Sequence, residues 1–317
     1  MALHPQAQAI ISGVESMGLP PFETLSIEEQ RGFIQQFSMF MIPREEVAST
    51  EDFEIPGPEA PIPVRVYLPA GEEEAPYPVV MYFHGGGWST GDLDLVDPLC
   101  RAVANRSGAA VVSVDYRLAP EHPYPAAVMD AYVATAWIAA YGANLGIDGS
   151  RLAVLGDSSG ANLATVTCML LRDKADDVPI AVQMLLCPSV DLVKFETPSH
   201  KEFGEGHLLT TAMMEKFREY YLTGVEDRVD EPYCSPVRTP NLQDLPPAII
   251  ITAECDPLRD EAEAYGQILR VNGNLVEIRR EEGMVHNFHW MGAAIDRGRE
   301  VIDMVGADLR TILYSPR

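Results

Sequence analysis

Cysteine is sparse and unpatterned in this 317-residue chain. There are five, at positions 100, 168, 187, 234 and 255, an odd number with no C-x-x-C pair. Such usage predicts reduced, mostly buried thiols in a cytoplasmic protein. Basic residues are also scarce: 23 Lys and Arg stand against 47 Asp and Glu, a net charge of -24. A surface this negative repels phosphate backbones and anionic headgroups, so no nucleic-acid partner is expected. The charge reads instead as solubility, with salt tolerance as a further use. No apolar run approaches the roughly 18 residues that span a bilayer, so stable membrane insertion is not expected either. The opening Met1-Ala2-Leu3-His4-Pro5 carries neither the basic nor the apolar region of a secretory leader. Internal repeats and low-complexity segments are missing too.

What remains is an ordinary globular chain, 47% hydrophobic. Its length suits one large α/β domain or two medium ones. Phe53-Glu54-Ile55 and Val64 to Leu68 alternate and predict outer strands. Val79 to Phe83, Ala109 to Val114, Leu152 to Leu155, Ile180 to Leu186 and Ala248 to Thr252 are continuous apolar runs, as in buried parallel strands. Leu275 to Arg279 is more polar and predicts an edge. Helical runs alternate with them: Leu95 to Arg106, Pro125 to Tyr141, Ser159 to Arg172, Leu258 to Val271 and Ala294 to Leu313. The alternation predicts an α/β fold, a mostly parallel sheet with helices on both faces.

Two segments break it. Residues 1–50 look helical, with a capping box at Ser26-Ile27-Glu28-Glu29 and Phe33, Phe37 and Phe40 or Met41 at helical spacing. Residues 195–240 hold a helix near Thr210 to Leu222, rich in Met213, Met214, Phe217, Tyr220 and Tyr221. The segments are expected to form a cap, over a core of residues 51–194 and 241–317. The first reads either as a helix packed on the body or as a lid.

The chemistry centres on Gly156-Asp157-Ser158-Ser159-Gly160, between an apolar strand and a helical run. That is the context of a nucleophile elbow, in which glycines permit a tight turn and the serine hydroxyl stands at the carboxyl end of a sheet. By chance the motif alone occurs in roughly one chain of this length in ten, so its partners decide. A serine hydroxyl needs a base, the base an orienting acid, and the oxyanion donors. His286 follows the last strand and is the expected base, with His289 as competitor. His4, His122, His200 and His207 have no evident partner. Asp256 follows the strand Ala248 to Thr252 and is placed to orient His286, or to cap a helix starting at Pro257. Asp260 and Glu261 lie inside that helix. His84-Gly85-Gly86-Gly87-Trp88 follows the strand Val79 to Phe83. Its bare backbone offers N–H groups, and Gly85, Gly86 and Ser159 are the expected oxyanion donors. Trp88, Met213, Met214 and Phe217 are candidate pocket walls or ordinary packing.

With these residues in order, the chain resembles the hormone-sensitive-lipase-like (bacterial family IV) esterases of the α/β-hydrolase superfamily. The likeness spans nearly the whole chain. It rests on the His84 loop, on Asp115-Tyr116-Arg117-Leu118-Ala119-Pro120-Glu121-His122-Pro123-Tyr124-Pro125-Ala126-Ala127, on the elbow, on Asp256-Pro257-Leu258-Arg259-Asp260-Glu261, and on the His286 loop. The resemblance implies hydrolysis of carboxylic esters of short to medium acyl chain through an acyl-enzyme, a cap, and no metal or organic cofactor. Homo-oligomers are open. The chain departs from the family in three places: Ser159 replaces alanine after the nucleophile, Ala161 replaces a glycine, and Asn287 replaces the glycine after the histidine. Asparagine tolerates the left-handed conformation better than most residues.

The same constellation serves amidases, lactonases and deacetylases. Receptors on this fold lose the catalytic histidine, so His286 favours an enzyme. A long-chain lipase would favour an exposed apolar surface, against which the acidic composition argues.

Overall fold

The apolar runs assemble into one eight-stranded sheet in the computed structural model, which describes residues 3–71 and 73–315. Met1 and Ala2 of the leader reading and of the expected 1–50 segment, and Glu72, Pro316 and Arg317 of the expected core, lie outside the described residues. The strands are β1 Ser49–Ile55, β2 Ile62–Leu68, β3 Tyr77–Phe83, β4 Ala110–Val114, β5 Ile147–Asp157, β6 Ile180–Leu186, β7 Ala248–Cys255 and β8 Val276–Val285. Their spatial order is β1-β2-β4-β3-β5-β6-β7-β8. The β1–β2 and β2–β4 pairs are antiparallel; every pair from β4 to β8 is parallel.

Nine helices lie among the described residues: α1 Pro5–Ser16, α2 Ile27–Gln36, α3 Leu93–Ser107, α4 Ala126–Tyr141, α5 Ser159–Asp173, α6 Pro198–Phe203, α7 Thr211–Tyr221, α8 Arg259–Val271 and α9 Asp296–Tyr314. The period-2 alternation of a strand sorts its residues between two layers. Val79, Met81 and Phe83 of β3 pack with Ala127 of α4, Leu163 of α5 and Tyr265 of α8 on one face. Val80 and Tyr82 pack with Leu95 of α3 and Val301 of α9 on the other. With apolar side chains needed on both faces, the central strands read as unbroken apolar runs.

Several expected boundaries move; β1 begins at Ser49, inside the expected 1–50 segment, and two other shifts bear on the site. β5 begins at Ile147, five residues before its apolar stretch, because Ile147 pairs with Tyr77 across an irregular register. β8 runs on from Arg279 to Val285 along β7 and delivers the chain directly to His286. The capping box starts α2 as expected: the Glu29 carboxylate accepts from the Ser26 N–H at 2.8 Å, and the Ser26 hydroxyl accepts in return. The helix ends at Gln36, however, and Phe37–Phe40 form a tighter 3-10 turn.

Above the carboxyl ends of the strands, a third apolar cluster joins Phe22, Leu209, Met214, Phe217 and Leu258, with Phe33 and Phe195 against it. Phe22 meets Phe33 and Phe217 edge to face. The N-terminal segment and the segment carrying α7 therefore pack on each other at the end of the sheet where the elbow emerges.

Candidate active site

β5 ends at Asp157 and α5 begins at Ser159, so a single residue, Ser158, makes the turn. It does so at φ 54° and ψ -119°, a conformation that L-residues rarely hold and that marks functional turns. Two close approaches explain the flanking glycines. A Cβ on Gly156 would lie 2.2 Å from the Gly160 carbonyl oxygen, and one on Gly160 would lie 2.0 Å from that of Phe83. The turn is pinned by the Ser158 N–H, which donates to Leu186 O at 2.8 Å.

His286 stands one residue past β8. Its Nε2 lies 3.0 Å from Ser158 Oγ, and its Nδ1 lies 2.8 Å from Asp256 Oδ2. A carboxylate only accepts, so Nδ1 carries the proton and Nε2 is free to accept the serine proton. All three side chains are buried: relative exposures are 9% for Ser158, 8% for His286 and 1% for Asp256. Asp256 does not cap a helix at Pro257, because α8 begins at Arg259 with Leu258 at its N-cap. Its second oxygen instead accepts from the Leu258 N–H at 2.9 Å, a local turn that fixes the carboxylate.

The competing residues have other work. His289 is fully buried, and burial first, then repulsion from His286 once that ring is protonated, push its pKa down to about 3. Asp260 accepts from the Ser199 N–H, and Glu261 from the Val190 and Asp191 N–H groups. His200 has a partner after all: its Nε2 lies 3.3 Å from Glu261, both side chains being almost wholly buried. That contact ties α6 to α8 and was not visible from spacing.

Gly86, Gly87 and Ser159 line a cavity of about 310 Å³ with Ser158 and His286. Gly85, the other expected donor, does not line it. Its backbone packs against the buried Asp157 carboxyl, so that a Cβ on it would lie 2.3 Å from Asp157 Oδ2. The loop then turns at φ 120° in Gly86 and 61° in Gly87. Tyr116 holds the first residue of the loop: its hydroxyl donates to His84 O at 2.7 Å and the two rings stack. Burial lowers the pKa of His84 and keeps it neutral. The Ser159 hydroxyl is buried with no hydrogen-bond partner.

Trp88, Met213, Met214 and Phe217 all line the cavity. Trp88 stacks flat on Tyr221, with centroids 4.2 Å apart. Phe217 presses on the oxyanion loop, leaving no room for a side chain on Gly87. Phe33, Ile34 and Phe37 of the N-terminal segment add apolar wall, as do Val14 and Leu19. Sequence reading missed Val14 and Leu19, which carry no signal beyond being apolar. Gly87 also lines the cavity, although it was not among the expected donors within the glycine run. No helix of the described residues is long and apolar enough to cross a membrane.

A mostly parallel sheet with a G-x-S-x-G turn at its carboxyl edge, and His and Asp on the following loops, defines the α/β-hydrolase class. Comparison with known proteins agrees. The chain belongs to the alpha/beta hydrolase fold family, which it matches over residues 80–290, in the hormone-sensitive-lipase-like branch. It is 40% identical over 264 residues to the esterase LipI of Mycobacterium tuberculosis, covering 83% of this chain and 82% of the relative. It is 34% identical to an ethyl acetate hydrolase of Pseudomonas putida, covering 96% of this chain and 98% of that one. The crystal structure of a thermostable esterase from Pseudomonas putida ECU1011 superposes with a TM-score of 0.94 at 34% identity, over 99% of both chains. The protein is a carboxylic ester hydrolase.

Proposed function

We propose that the enzyme cleaves esters of short to medium acyl chain through an acyl-enzyme on Ser158. The observation that carries this reading is the chain of contacts Asp256–His286–Ser158, at 2.8 and 3.0 Å, on the floor of an apolar cavity. His286 Nε2 takes the Ser158 proton as Oγ attacks the ester carbonyl carbon. Asp256 stabilises the imidazolium. Collapse of the tetrahedral adduct breaks the bond to the alkoxy oxygen, which leaves with the proton from His286. Water then attacks the acyl-enzyme, gives its proton to His286, and Ser158 departs with it. The oxyanion is received by N–H groups of Gly86, Gly87 and Ser159, each such donor being typically worth about 10²–10³ in rate.

The size of the cavity, and the aromatic wall formed by Phe217, Phe33 and Trp88, support short to medium acyl chains. Residues 1–50 and 195–240 act as the cap. Five buried, unpaired cysteines favour a reducing compartment such as the cytoplasm.

The test is a panel of p-nitrophenyl esters from acetate to palmitate with wild type and Ser158→Ala. The rate is expected to peak at short or medium chains and to vanish in the variant, and a phosphonate label to land on Ser158. Full activity in the variant, or label on Ser159, would overturn the reading.

A further inference from the structure

Asp157, the residue before the nucleophile, is fully buried and takes no part in the cycle above. A buried carboxyl is costly unless its oxygens are satisfied, so its partners indicate what it is kept for. They come from three separate pieces of chain. The Tyr82 hydroxyl on β3 donates to Oδ1 at 2.6 Å. The Gly85 backbone, in the loop after β3, packs against the carboxyl so closely that a Cβ on it would lie 2.3 Å from Oδ2. The Asn287 side-chain amide donates to Oδ2 at 3.3 Å from the base loop, one residue past His286. Both hydrogen-bond partners, Tyr82 and Asn287, offer a proton, which suits a carboxylate and not an amide.

Asn287 stands in the left-handed region, at φ 53° and ψ 27°. Backbone economy alone would favour glycine there. The asparagine accepts that conformation and adds a polar group aimed at Asp157. Its own side-chain carbonyl has no partner, so the amide is held for its donor end.

We infer that Asp157 is a positioning residue that ties the oxyanion loop, the elbow and the base loop into one unit, and that the Asn287 amide is the tie to the base. The inference rests on the roles proposed above for Ser158, His286, Gly86 and Gly87. The geometry gives it purpose: Gly86 follows Gly85, Ser158 follows Asp157, and Asn287 follows His286. Each reacting group is thus one residue from a group on the Asp157 carboxylate. Loosening any tie lets one reacting group drift against the others. Misplacement of about 1 Å can cost on the order of 10²-fold in rate without weakening substrate binding.

The experiment is a double-mutant cycle on kcat and KM with p-nitrophenyl butyrate, using Asn287→Gly, Asp157→Asn and both together. Glycine keeps the left-handed backbone and removes only the amide. Asn287→Gly is expected to lower kcat about 3- to 10-fold, with KM within about twofold and an unchanged melting temperature. In the Asp157→Asn background the same change is expected to cost less than about twofold, the non-additivity of a shared contact. Wild-type kcat in folded Asn287→Gly, a loss confined to KM, or fully additive effects would each overturn the inference. Failure of the ester-hydrolase reading is separable, since wild type itself would then show no Ser158-dependent turnover.

Discussion

Gly160 and Phe83 approach so closely that no side chain fits between them: a Cβ on Gly160 would lie 2.0 Å from the Phe83 carbonyl oxygen. Phe83 ends β3, the strand that delivers the oxyanion loop, and Gly160 sits in the first turn of α5. Gly160→Ala must therefore separate the nucleophile turn from the loop it works with. Overpacking of this kind costs about 1–3 kcal/mol or more. The variant is expected to melt several degrees lower and to lose at least about tenfold in kcat. A melting curve and rate equal to wild type would show that the close approach is not needed.

His286 and His289 lie three residues apart and separate cleanly in environment. His286 bridges Asp256 and Ser158, whereas His289 is buried with its Nε2 unpartnered. His286→Ala is expected to cost about 10⁴ or more in kcat. His289→Ala leaves a buried void, so its loss is expected in melting temperature, with kcat of the folded fraction within a few-fold. Rates measured at equal folded concentration check this, and the reverse pattern would move the base.

Asp256→Asn preserves shape while removing the charge that holds Nδ1–H toward the acid. The asparagine amide can turn its NH₂ to His286 and favour the wrong tautomer, a loss of about 10⁴ in kcat. Asp260→Asn, four residues on, affects only the Ser199 contact and the Arg259 pair. It is expected to change kcat by less than about threefold, because neither contact reaches Ser158 or His286, and any cost is expected in melting temperature. Comparable losses in the two variants would count against Asp256 as the acid.

Legibility in the sequence followed the strength of local rules. The central strands were readable because burial on both faces forces unbroken apolar runs, and the elbow was readable because its backbone admits only glycine at two places. The ends of β5 and β8 were not, since pairing with β3 and β7 extends them past their apolar stretches. The glycine loop was legible, but which of its residues border the cavity was not: Gly86 and Gly87 do, and Gly85 does not. Three adjacent glycines look alike until the buried Asp157 carboxyl is found packed against the first. The His200–Glu261 contact was hidden because it joins residues 61 positions apart through tertiary packing. Asp157 was written in the motif, but its burial and donors appear only once three loops are assembled.

Phe217 covers the oxyanion loop and borders the cavity at 8% exposure. Phe217→Ala extends the cavity at the expense of the aromatic cluster with Phe22. A cost of about 3 kcal/mol in stability is expected. The ratio of kcat/KM for octanoate over butyrate is expected to rise about tenfold, because each accommodated methylene is worth about 1 kcal/mol or more. An unchanged ratio across the p-nitrophenyl series would place the acyl chain elsewhere.

His289 and Asp157 pull the acid stability of the enzyme in opposite directions, and two variants separate them. His289 falls from its ordinary 6.5 to about 3 in the fold through burial. Between those values the unfolded chain binds a proton that the folded chain refuses, so stability present above pH 6.5 is lost as pH falls towards 3. Burial raises Asp157 from 3.8 to about 6. There the folded chain binds the extra proton, so this contribution is full below 3.8 and is lost as pH rises through 6. On acidification from pH 7 to 4, His289→Asn should therefore gain in melting temperature relative to wild type, and Asp157→Asn should fall behind it. Parallel melting curves across that range would show that neither group titrates as its burial demands.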